Sequence, residues 1–254
     1  MIPAVTITRL EKAATDNGFD LELAPTADWL CFGSTQTSLH IWLTATGPSQ
    51  FAAAMSRNDV LDGLGGLGAA FTNPLPSGAA GALNVRDVDA LHHLLRRAFQ
   101  LSRTLPDALI RAFQHVTAHL PRTTEAERLV VQRVGQDIFR RGLLEYWDGR
   151  CAITRLAVPE LLRASHIKPW ATCDTDAERL DIFNGLLLAP HLDAAFDAGF
   201  ITIGQEGTVL VSNTLPPDAR RLLGLDRSLI VRGLHPPHER YLRLHRVNVF
   251  RTNE

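Results

Sequence analysis

Three short stretches near the start of the chain alternate apolar and polar side chains. The alternation runs through Leu21 and Leu23, through the segment WLCFGS, and through Leu39, Ile41 and Leu43. A period of two places successive side chains on opposite faces of an extended chain, so these stretches predict three strands.

Helical spacing of apolar residues dominates the segments that follow. The Gly/Ala/Pro-rich residues 63–81 interrupt this spacing and predict a loop. The predicted strands and helices together make a small α/β domain over residues 1–120. The predicted helices cover residues 49–61, 87–102 and 106–120.

A long helix is predicted over residues 123–147, at the start of a second domain that covers residues 121–254. A threonine precedes acidic residues in its first turn, which suits an N-cap and the positive end of the helix dipole. Its apolar positions predict one inward-facing stripe. The residues of that stripe are Leu129, Val130, Val134, Ile138 and Leu144.

A strand, a loop and a second strand are predicted next. The apolar segment before His166 favours a strand, and Pro169 ends it because proline cannot donate to a sheet ladder. Residues 171–181 are rich in charge and poor in apolar side chains, which predicts an exposed loop. The apolar run 185–189 then predicts the second strand.

A short helix is predicted from Pro190, which fits the first turn of a helix. Asp193 and Asp197 are four positions apart and therefore share a face of this helix. The order strand, loop, strand, helix allows His166, Asn184 and Asp193 to converge.

The segments ASHIKPW and NGLLLAPHLDAAFD, which contain these residues, resemble the His-Asn-His motif of the HNH endonucleases. The lead-in RVGQDIFRRGLLEYWDGRCAITR and the tail YLRLHRVNVFR are similar to the matching parts of restriction-type members, so the resemblance covers about residues 121–251. It implies a C-terminal ββα-metal nuclease domain. The predicted fold class is therefore α+β, with the small α/β domain preceding the nuclease domain.

The resemblance also implies roles for individual residues. His166 takes the position of the general base, a role that a neutral imidazole can perform at physiological pH. Asn184 takes the position that fixes the loop and in some members also contacts the metal. The helix ligand falls on His191 or Asp193, and we expect Asp193, whose carboxylate suits Mg²⁺ or Mn²⁺.

The chain departs from the family pattern directly before the first histidine of the motif. Many members have a metal-binding aspartate there, whereas this chain has Ser165. The second protein ligand of the metal therefore stays open among Asn184, His191 and Asp197. No organic cofactor is predicted.

Composition limits the remaining interpretations. With 254 residues, 45% of them hydrophobic, the chain can bury the core of one large or two modest domains. No apolar run approaches the roughly 20 residues that cross a bilayer, and the N-terminus lacks a signal-peptide pattern, so we expect a cytoplasmic protein without a membrane partner. Three cysteines without a CxxC pair fit a reducing compartment and argue against structural zinc.

The distribution of charge favours a nucleic-acid partner. The chain has 26 Lys and Arg against 27 Asp and Glu, yet residues 220–251 contain eight arginines and only two acidic side chains. Arginines beside a phosphodiester site favour phosphate binding, and a solvated basic face is the alternative. The predicted DNA contacts are Arg140, Arg141, Lys168, Arg221, Arg243 and Arg246.

Three N-terminal features have weaker functional interpretations. The segment GLGGLG resembles a phosphate-binding loop but follows no apolar strand, so a flexible loop is favoured. His115 and His119 are one helical turn apart, but no glutamate stands in the position that zinc proteases require, so ordinary helix surface is favoured. The aromatic rings of Trp29, Phe32 and Trp42 favour a core position over a pocket that stacks on a base.

The predicted function is metal-dependent hydrolysis of DNA, in restriction or defence, with target selection by the N-terminal domain. Two alternatives stay open: a DNA-binding regulator that keeps the fold without cleavage, and a nuclease for RNA or single strands. A homodimer also stays open, since the sequence contains no heptad seam or obvious self-complementary patch.

Overall fold

The protein is described by a computed structural model over residues 2–104, 108–121 and 123–252. The chain divides into two compact units, Met1–Leu105 and Pro106–Glu254. Both units combine helices with antiparallel strands, which confirms the predicted α+β class. Among the described residues, no helix is both long enough and apolar enough to cross a membrane.

The first unit is an antiparallel sheet with helices packed against it. The strand order in the sheet is β1-β2-β3-β4-β6-β5. The strands predicted from alternation are confirmed, and so is the helix over residues 87–102. The elements are α1 (Ala4–Asp16), β1 (Leu21–Thr26), β2 (Trp29–Gly33), β3 (Ile41–Ala45), β4 (Phe51–Met55), α2 (Asn58–Gly63), β5 (Ala69–Ala70), β6 (Gly81–Val85) and α3 (Val88–Thr104).

The helix predicted over residues 49–61 is wrong in its first half. Strand β4 occupies Phe51–Met55 and pairs with both β3 and β6. Every residue of this strand is buried, so the alternation that would have revealed it is absent. The predicted loop over residues 63–81 likewise contains the short strand β5.

The aromatic rings of the first unit are core residues, as the sequence favoured. Trp29, Phe32 and Trp42 expose 8%, 4% and 6% of their surface. Trp29 and Trp42 pack with the small side chains of Ala52 and Ala54 in one cluster. These rings are therefore closed to a stacking base.

The second unit contains the segment that resembles a nuclease motif. Its predicted strand, loop, strand and helix are confirmed in that order. The elements are α4 (Ala108–Thr117), α5 (Glu125–Tyr146), β7 (Arg163–His166), α6 (Asp176–Arg179), β8 (Gly185–Leu188), α7 (Pro190–Asp197), β9 (Ile201–Ile203), β10 (Val209–Val211), α8 (Pro217–Leu222) and α9 (His238–Asn248).

Helix α4 packs on α5, so the second unit begins before residue 121, where the sequence placed the start of its second domain. The buried side chains of Leu109 and Phe113 face α5, and a Cβ atom at Gly142 would lie only 2.6 Å from Leu109. The predicted start of this helix at Pro106 lies outside the described residues. Val116 on the same helix is 53% exposed.

Helix α5 begins with the predicted threonine cap, where Thr124 and Glu127 form a capping box. The predicted inward stripe is wrong at Leu129 and Val130, which are 53% and 51% exposed. Of its other members, Ile138 is buried, and Val134 and Leu144 are partly buried. The buried face passes through glycines, which a count of apolar side chains overlooks. Its residues are Val131, Gly135, Ile138, Phe139, Gly142, Leu143 and Tyr146.

Strands β7 and β8 form an antiparallel pair in which His166 lies opposite Gly185. Helix α7 follows directly, with Pro190 in its first turn. Residues 171–181 are less exposed than predicted, because they include α6 and the buried side chains of Cys173 and Leu180. In this layout β7 packs against both α5 and α7.

Candidate active site

A cavity of about 590 Å³ opens at the end of β7. Helix α5, strand β7, helix α7 and helix α9 each contribute side chains to its wall. Ionisable and hydrogen-bonding groups therefore gather here from elements that are far apart in the chain. The polar wall residues are Gln136, Asp137, Arg140, Arg163, Ser165, His166, Asp193, Asp197 and His245.

The imidazole of His166 is fixed on two sides. Its ring lies flat against Phe139, with 3.8 Å between ring centroids, and the edge of Trp170 packs against it at 5.4 Å. Its Nε2 atom lies 2.8 Å from the backbone carbonyl oxygen of Arg179. A carbonyl oxygen can only accept, so Nε2 carries the proton in the neutral ring and Nδ1 does not.

Burial lowers the pKa of His166 from 6.5 to about 4, and the hydrogen bond to Arg179 opposes this shift. The imidazole is therefore neutral near pH 7. Among the described residues, Nδ1 of His166 has no hydrogen-bond partner. A neutral ring in a fixed tautomer, with an open nitrogen beside a cavity, can accept a proton from a bound water.

Two glycines allow the aromatic rings to approach His166 this closely. A Cβ atom at Gly185 would lie 2.6 Å from the ring of Phe139, and one at Gly135 would lie 2.7 Å from the ring of Trp170. Real Cβ atoms do not approach ring carbons so closely. Larger residues at these positions would displace the rings that hold His166.

Two carboxylates on α7 line the same cavity. Asp193 and Asp197 are one helical turn apart, and the Ser165 hydroxyl donates to Asp197 Oδ1 at 3.5 Å. Burial raises the pKa of Asp197, and the neighbouring negative charge of Asp193 raises it further. In the part of the chain that the structure describes, neither carboxylate has a basic side chain in ion-pair range.

This pair of carboxylates fits a hard divalent cation. Within the described residues, no group of three or more His, Cys, Asp or Glu side chains is arranged to hold a metal. Mg²⁺ typically binds one or two carboxylates and keeps several waters, so it does not require such a group. Asp193 and Asp197 are therefore residues that could hold a divalent cation.

Asn184 lies outside the cavity wall and is fully buried. Its Oδ1 atom accepts from the backbone N–H of Lys168 at 2.7 Å. Its Nδ2 group donates to the carbonyl oxygens of Lys168 and Glu178, each at 3.2 Å, and contacts Cys173 Sγ at 3.4 Å. This arrangement suits the predicted role of fixing the loop, and the amide oxygen is already bound to the backbone of Lys168.

His191 does not join the other candidate residues either. It is exposed in the first turn of α7 and contributes nothing to the cavity wall. Of the candidate catalytic and metal-binding residues, the structure thus brings together His166, Asp193 and Asp197.

Three of the predicted DNA contacts bind other parts of the chain. Arg140 donates to the carbonyl oxygens of Leu162 at 2.6 Å and Pro159 at 2.9 Å. Arg246 donates to the carbonyl of Ile203 and pairs with Glu239. The ammonium group of Lys168 is paired as well, with two carboxylates described below.

The other three predicted DNA contacts are exposed. Arg141 and Arg243 lie on the surfaces of α5 and α9, and the Arg221 side chain is 72% exposed with Asp218 3.6 Å away. A phosphate group could reach these guanidinium groups without breaking a buried contact. These three arginines are therefore better placed to contact DNA than Arg140, Lys168 and Arg246.

Sequence reasoning missed Phe139, Trp170, Asp137 and Arg163. Helical spacing predicted other residues for the buried face of α5, so Phe139 was not expected against His166. Arg163 directly precedes the segment ASHIKPW and Trp170 is its last residue, so proximity to His166 is the signal that could have found both. Asp197 was recognised by its spacing from Asp193, and the structure adds its contact with Ser165.

Comparison with known protein families gives a match in this part of the chain. Residues 151–204 match a family described as HNH endonuclease. The matched segment spans β7, β8 and α7 and contains His166, Asp193 and Asp197. A search of curated proteins found no significant match. The family match supports nuclease activity in general.

Proposed function

We propose, from the premise that residues 151–204 are a segment of the HNH endonuclease family, that the protein is a metal-dependent DNA endonuclease. The observation that carries this proposal is the open Nδ1 atom of a neutral His166 in the same cavity as Asp193 and Asp197. A base and a pair of carboxylates are the groups that hydrolysis of a phosphodiester requires from the protein.

In this mechanism His166 acts as the general base. Its Nδ1 atom takes a proton from water as the water oxygen forms a bond to phosphorus. The bond from phosphorus to the 3′ oxygen breaks, and the departing oxygen takes a proton from solvent water. The contact between Nε2 and the Arg179 carbonyl stabilises the resulting imidazolium, since both ring nitrogens then donate. Phe139 and Trp170 keep the ring in place during the transfer.

Asp193 and Asp197 would hold the divalent ion. A bound Mg²⁺ or Mn²⁺ stabilises the additional negative charge on the phosphate and on the leaving oxygen. Ser165 orients Asp197 through its hydroxyl, so it contributes although it cannot itself supply the carboxylate that many relatives have at this position. We assign the second protein ligand to Asp197 because neither Asn184 nor His191 lines the cavity.

Exposed arginines would bind the DNA backbone on either side of the cut. We assign this role to Arg141, Arg221 and Arg243, because Arg140, Lys168 and Arg246 hold other parts of the chain. Restriction or defence in the cytoplasm is the biological role that we propose, with the first unit selecting the target. A homodimer would allow paired cuts, and it stays a prediction.

A cleavage and metal-binding assay tests the function. The wild type and an Asp193→Asn/Asp197→Asn variant should be incubated with plasmid DNA, single-stranded DNA and RNA in Mg²⁺, Mn²⁺ or EDTA, and Mn²⁺ binding should be measured by calorimetry. We expect the wild type to bind Mn²⁺ and to cut duplex DNA, and the variant to do neither. Asp226→Asn is the matched control, since this aspartate is exposed and does not line the cavity.

The same assay separates the alternatives. Cleavage of RNA or single strands alone would replace DNA hydrolysis by hydrolysis of those substrates. DNA binding without cleavage of any substrate, in any metal, would replace the enzyme by the regulator. Cleavage that persists in EDTA would contradict the metal-dependent mechanism.

Salt dependence tests the proposed phosphate-binding arginines. Removing one arginine that neutralises a phosphate should reduce the slope of log affinity against log salt by about 1. We therefore expect Arg221→Ala and Arg243→Ala each to weaken DNA binding in low salt and to lower that slope, without moving the cut position. Slopes equal to that of the wild type would contradict DNA binding at these arginines.

A further inference from the structure

Lys168 is held through both its backbone and its side chain. Asn184 bonds to its backbone N–H and carbonyl, as described above. Its ammonium Nζ lies 2.8 Å from Glu178 Oε2 and 3.0 Å from Asp174 Oδ2, and its side chain is only 17% exposed. The group of one ammonium and two carboxylates is net negative, which disfavours contact with a phosphate.

The partner of this ammonium is adjacent to the carbonyl that binds His166. Glu178 and Arg179 are the last two residues of α6, and Arg179 provides the carbonyl oxygen 2.8 Å from His166 Nε2. The carbonyl of Glu178 accepts from Asn184 Nδ2 at 3.2 Å. The two contacts of Glu178, through its side chain and its backbone, therefore determine where the next carbonyl points.

Helix α6 cannot hold this carbonyl in position by itself. It is four residues long, far below the length at which an isolated helix persists in water. Its place depends on anchors to the surrounding chain. The Lys168 ammonium is such an anchor, and the Arg179 guanidinium, which donates to the carbonyls of Trp170 and Cys173, is another.

We propose that Lys168 is a positioning residue, which through Glu178 holds the Arg179 carbonyl against His166 and so keeps the imidazole in the tautomer with an open Nδ1. The proposal rests on the proposed function only in taking His166 as the general base. It replaces DNA contact as the role of Lys168. Without the ammonium, α6 shifts and both tautomers of His166 become populated.

The tautomer can be read directly from ¹⁵N-labelled histidine by NMR, with the His166 signals assigned by their absence in His166→Asn. In the wild type we expect protonated Nε2 and unprotonated Nδ1. In Lys168→Met and in Glu178→Gln we expect signals averaged between the two tautomers. We expect Lys168→Arg to restore the wild-type pattern in part, since a guanidinium can also pair with Glu178.

The chain supplies a matched control, because Lys12 and Lys168 are its only lysines. Lys12 pairs with Asp16 on the surface of α1, where its side chain is 70% exposed. Lys12→Met removes the same charge from the protein and should leave the His166 signals unchanged. An altered spectrum in this control would mean that loss of charge alone causes the effect, which would overturn the proposal.

DNA assays distinguish positioning from phosphate contact. The proposal expects Lys168→Met and Glu178→Gln to slow cleavage by at least about tenfold at saturating DNA, as when the group that orients a functional histidine is removed. If Lys168 instead contacts a phosphate, Glu178→Gln should bind DNA more tightly, because the Lys168 ammonium then has one competing carboxylate fewer. Tighter binding with a wild-type tautomer pattern would overturn the proposal.

The failure of this inference is distinct from failure of the function. A wild type that cuts no nucleic acid, while Lys168→Met still alters the tautomer, would leave the positioning role intact and remove the nuclease. Wild-type His166 spectra in both Lys168→Met and Glu178→Gln would overturn the positioning role, whatever the cleavage result. Glu178→Gln preserves the shape of the side chain and keeps the proposal testable if Lys168→Met fails to fold.

Discussion

Two regions of the second unit hold a histidine in nearly the same way. His166 stacks on Phe139, and His245 stacks on Phe196, each with 3.8 Å between ring centroids. In both, Nε2 contacts a backbone carbonyl oxygen, and burial is the main cause that lowers the pKa to about 4.

The two regions differ at the other ring nitrogen. Nδ1 of His245 lies 2.9 Å from the Thr202 hydroxyl, whereas Nδ1 of His166 has no partner among the described residues. With both nitrogens satisfied, His245 connects α9 to β9 and to the end of α7. Stacking and a lowered pKa therefore do not by themselves identify a base. The proposed role of His166 depends on its open nitrogen in a cavity that Asp193 and Asp197 also line.

Replacing each histidine by asparagine should have the largest effect and should separate the two regions. We expect His166→Asn to reduce the cleavage rate by about 10²- to 10⁴-fold, the usual contribution of a general base, with little change in DNA affinity. We expect His245→Asn to lower thermal stability and to keep the cleavage rate of the folded protein within a few-fold. Rates should be measured on plasmid DNA, at a temperature at which circular dichroism shows both variants folded.

An equal reduction of rate in the two variants would contradict this distinction, since it would make His245 as important for cleavage as His166. A nearly unchanged rate in His166→Asn would remove the general base from the proposed mechanism.

Acidification should affect the two regions alike. Each histidine has a pKa of about 4 in the folded protein and 6.5 in the reference state, so the unfolded chain binds more protons between these values. The free energy of unfolding therefore rises with pH in this window, and stability is lost as pH falls from 6.5 towards 4. The loss is on the order of 3 kcal/mol for each histidine at the lower limit.

Urea denaturation at pH 7.5, 6.0 and 5.0 measures this dependence. We expect the wild type to lose stability over this series, and His166→Gln and His245→Gln each to lose less of it. A wild-type stability that does not change between pH 7.5 and 5.0 would mean that neither imidazole is buried in its neutral form.

Displacing one stacking ring should damage the His166 region alone. Gly185→Ala would place a Cβ atom 2.6 Å from the ring of Phe139 and 2.7 Å from Leu143, in a fully buried part of β8. Overpacking of this kind costs about 1 to 3 kcal/mol. We expect this destabilisation in thermal denaturation, together with slower cleavage, because Phe139 moves off His166.

Gly65→Ala is the control for the added methyl group. The nearest atom to a Cβ there is the Asp62 carbonyl oxygen at 3.6 Å, which is an ordinary contact. We expect its stability and cleavage rate to stay close to those of the wild type. A Gly185→Ala variant that behaves like this control would show that Phe139 can move without affecting His166.

The sequence was sufficient to predict the chain path through the His166 region. Pro169 after β7 and Pro190 at the start of α7 limit the backbone locally, so both elements were found with nearly correct ends. His166 and Asp193 follow from this local order. The sequence could not show that Nδ1 of His166 lacks a hydrogen-bond partner whereas Nδ1 of His245 has one, because these contacts depend on residues that are distant in the chain.

The errors have the same physical origin. Strand β4 was read as a helix because a fully buried apolar segment has no alternation, and the buried face of α5 was missed because it passes through Gly135 and Gly142. Lys168 was assigned to DNA because its charge is visible in the sequence, whereas its pairing with Glu178 requires the fold of α6. Local constraints were predictable, and contacts between distant elements were not.

The smallest effect is expected when Nδ1 of His245 loses its hydrogen-bond partner. Thr202→Val removes the hydroxyl 2.9 Å from Nδ1 and leaves this buried nitrogen without its partner, at a cost of about 1 to 3 kcal/mol. We expect lower thermal stability and an unchanged cleavage rate, and Thr202→Ser should restore most of the stability because it keeps the hydroxyl. If Thr202→Val slowed cleavage as strongly as it lowered stability, His245 would take part in catalysis in addition to lining the cavity, and the contrast between the two histidines would not hold.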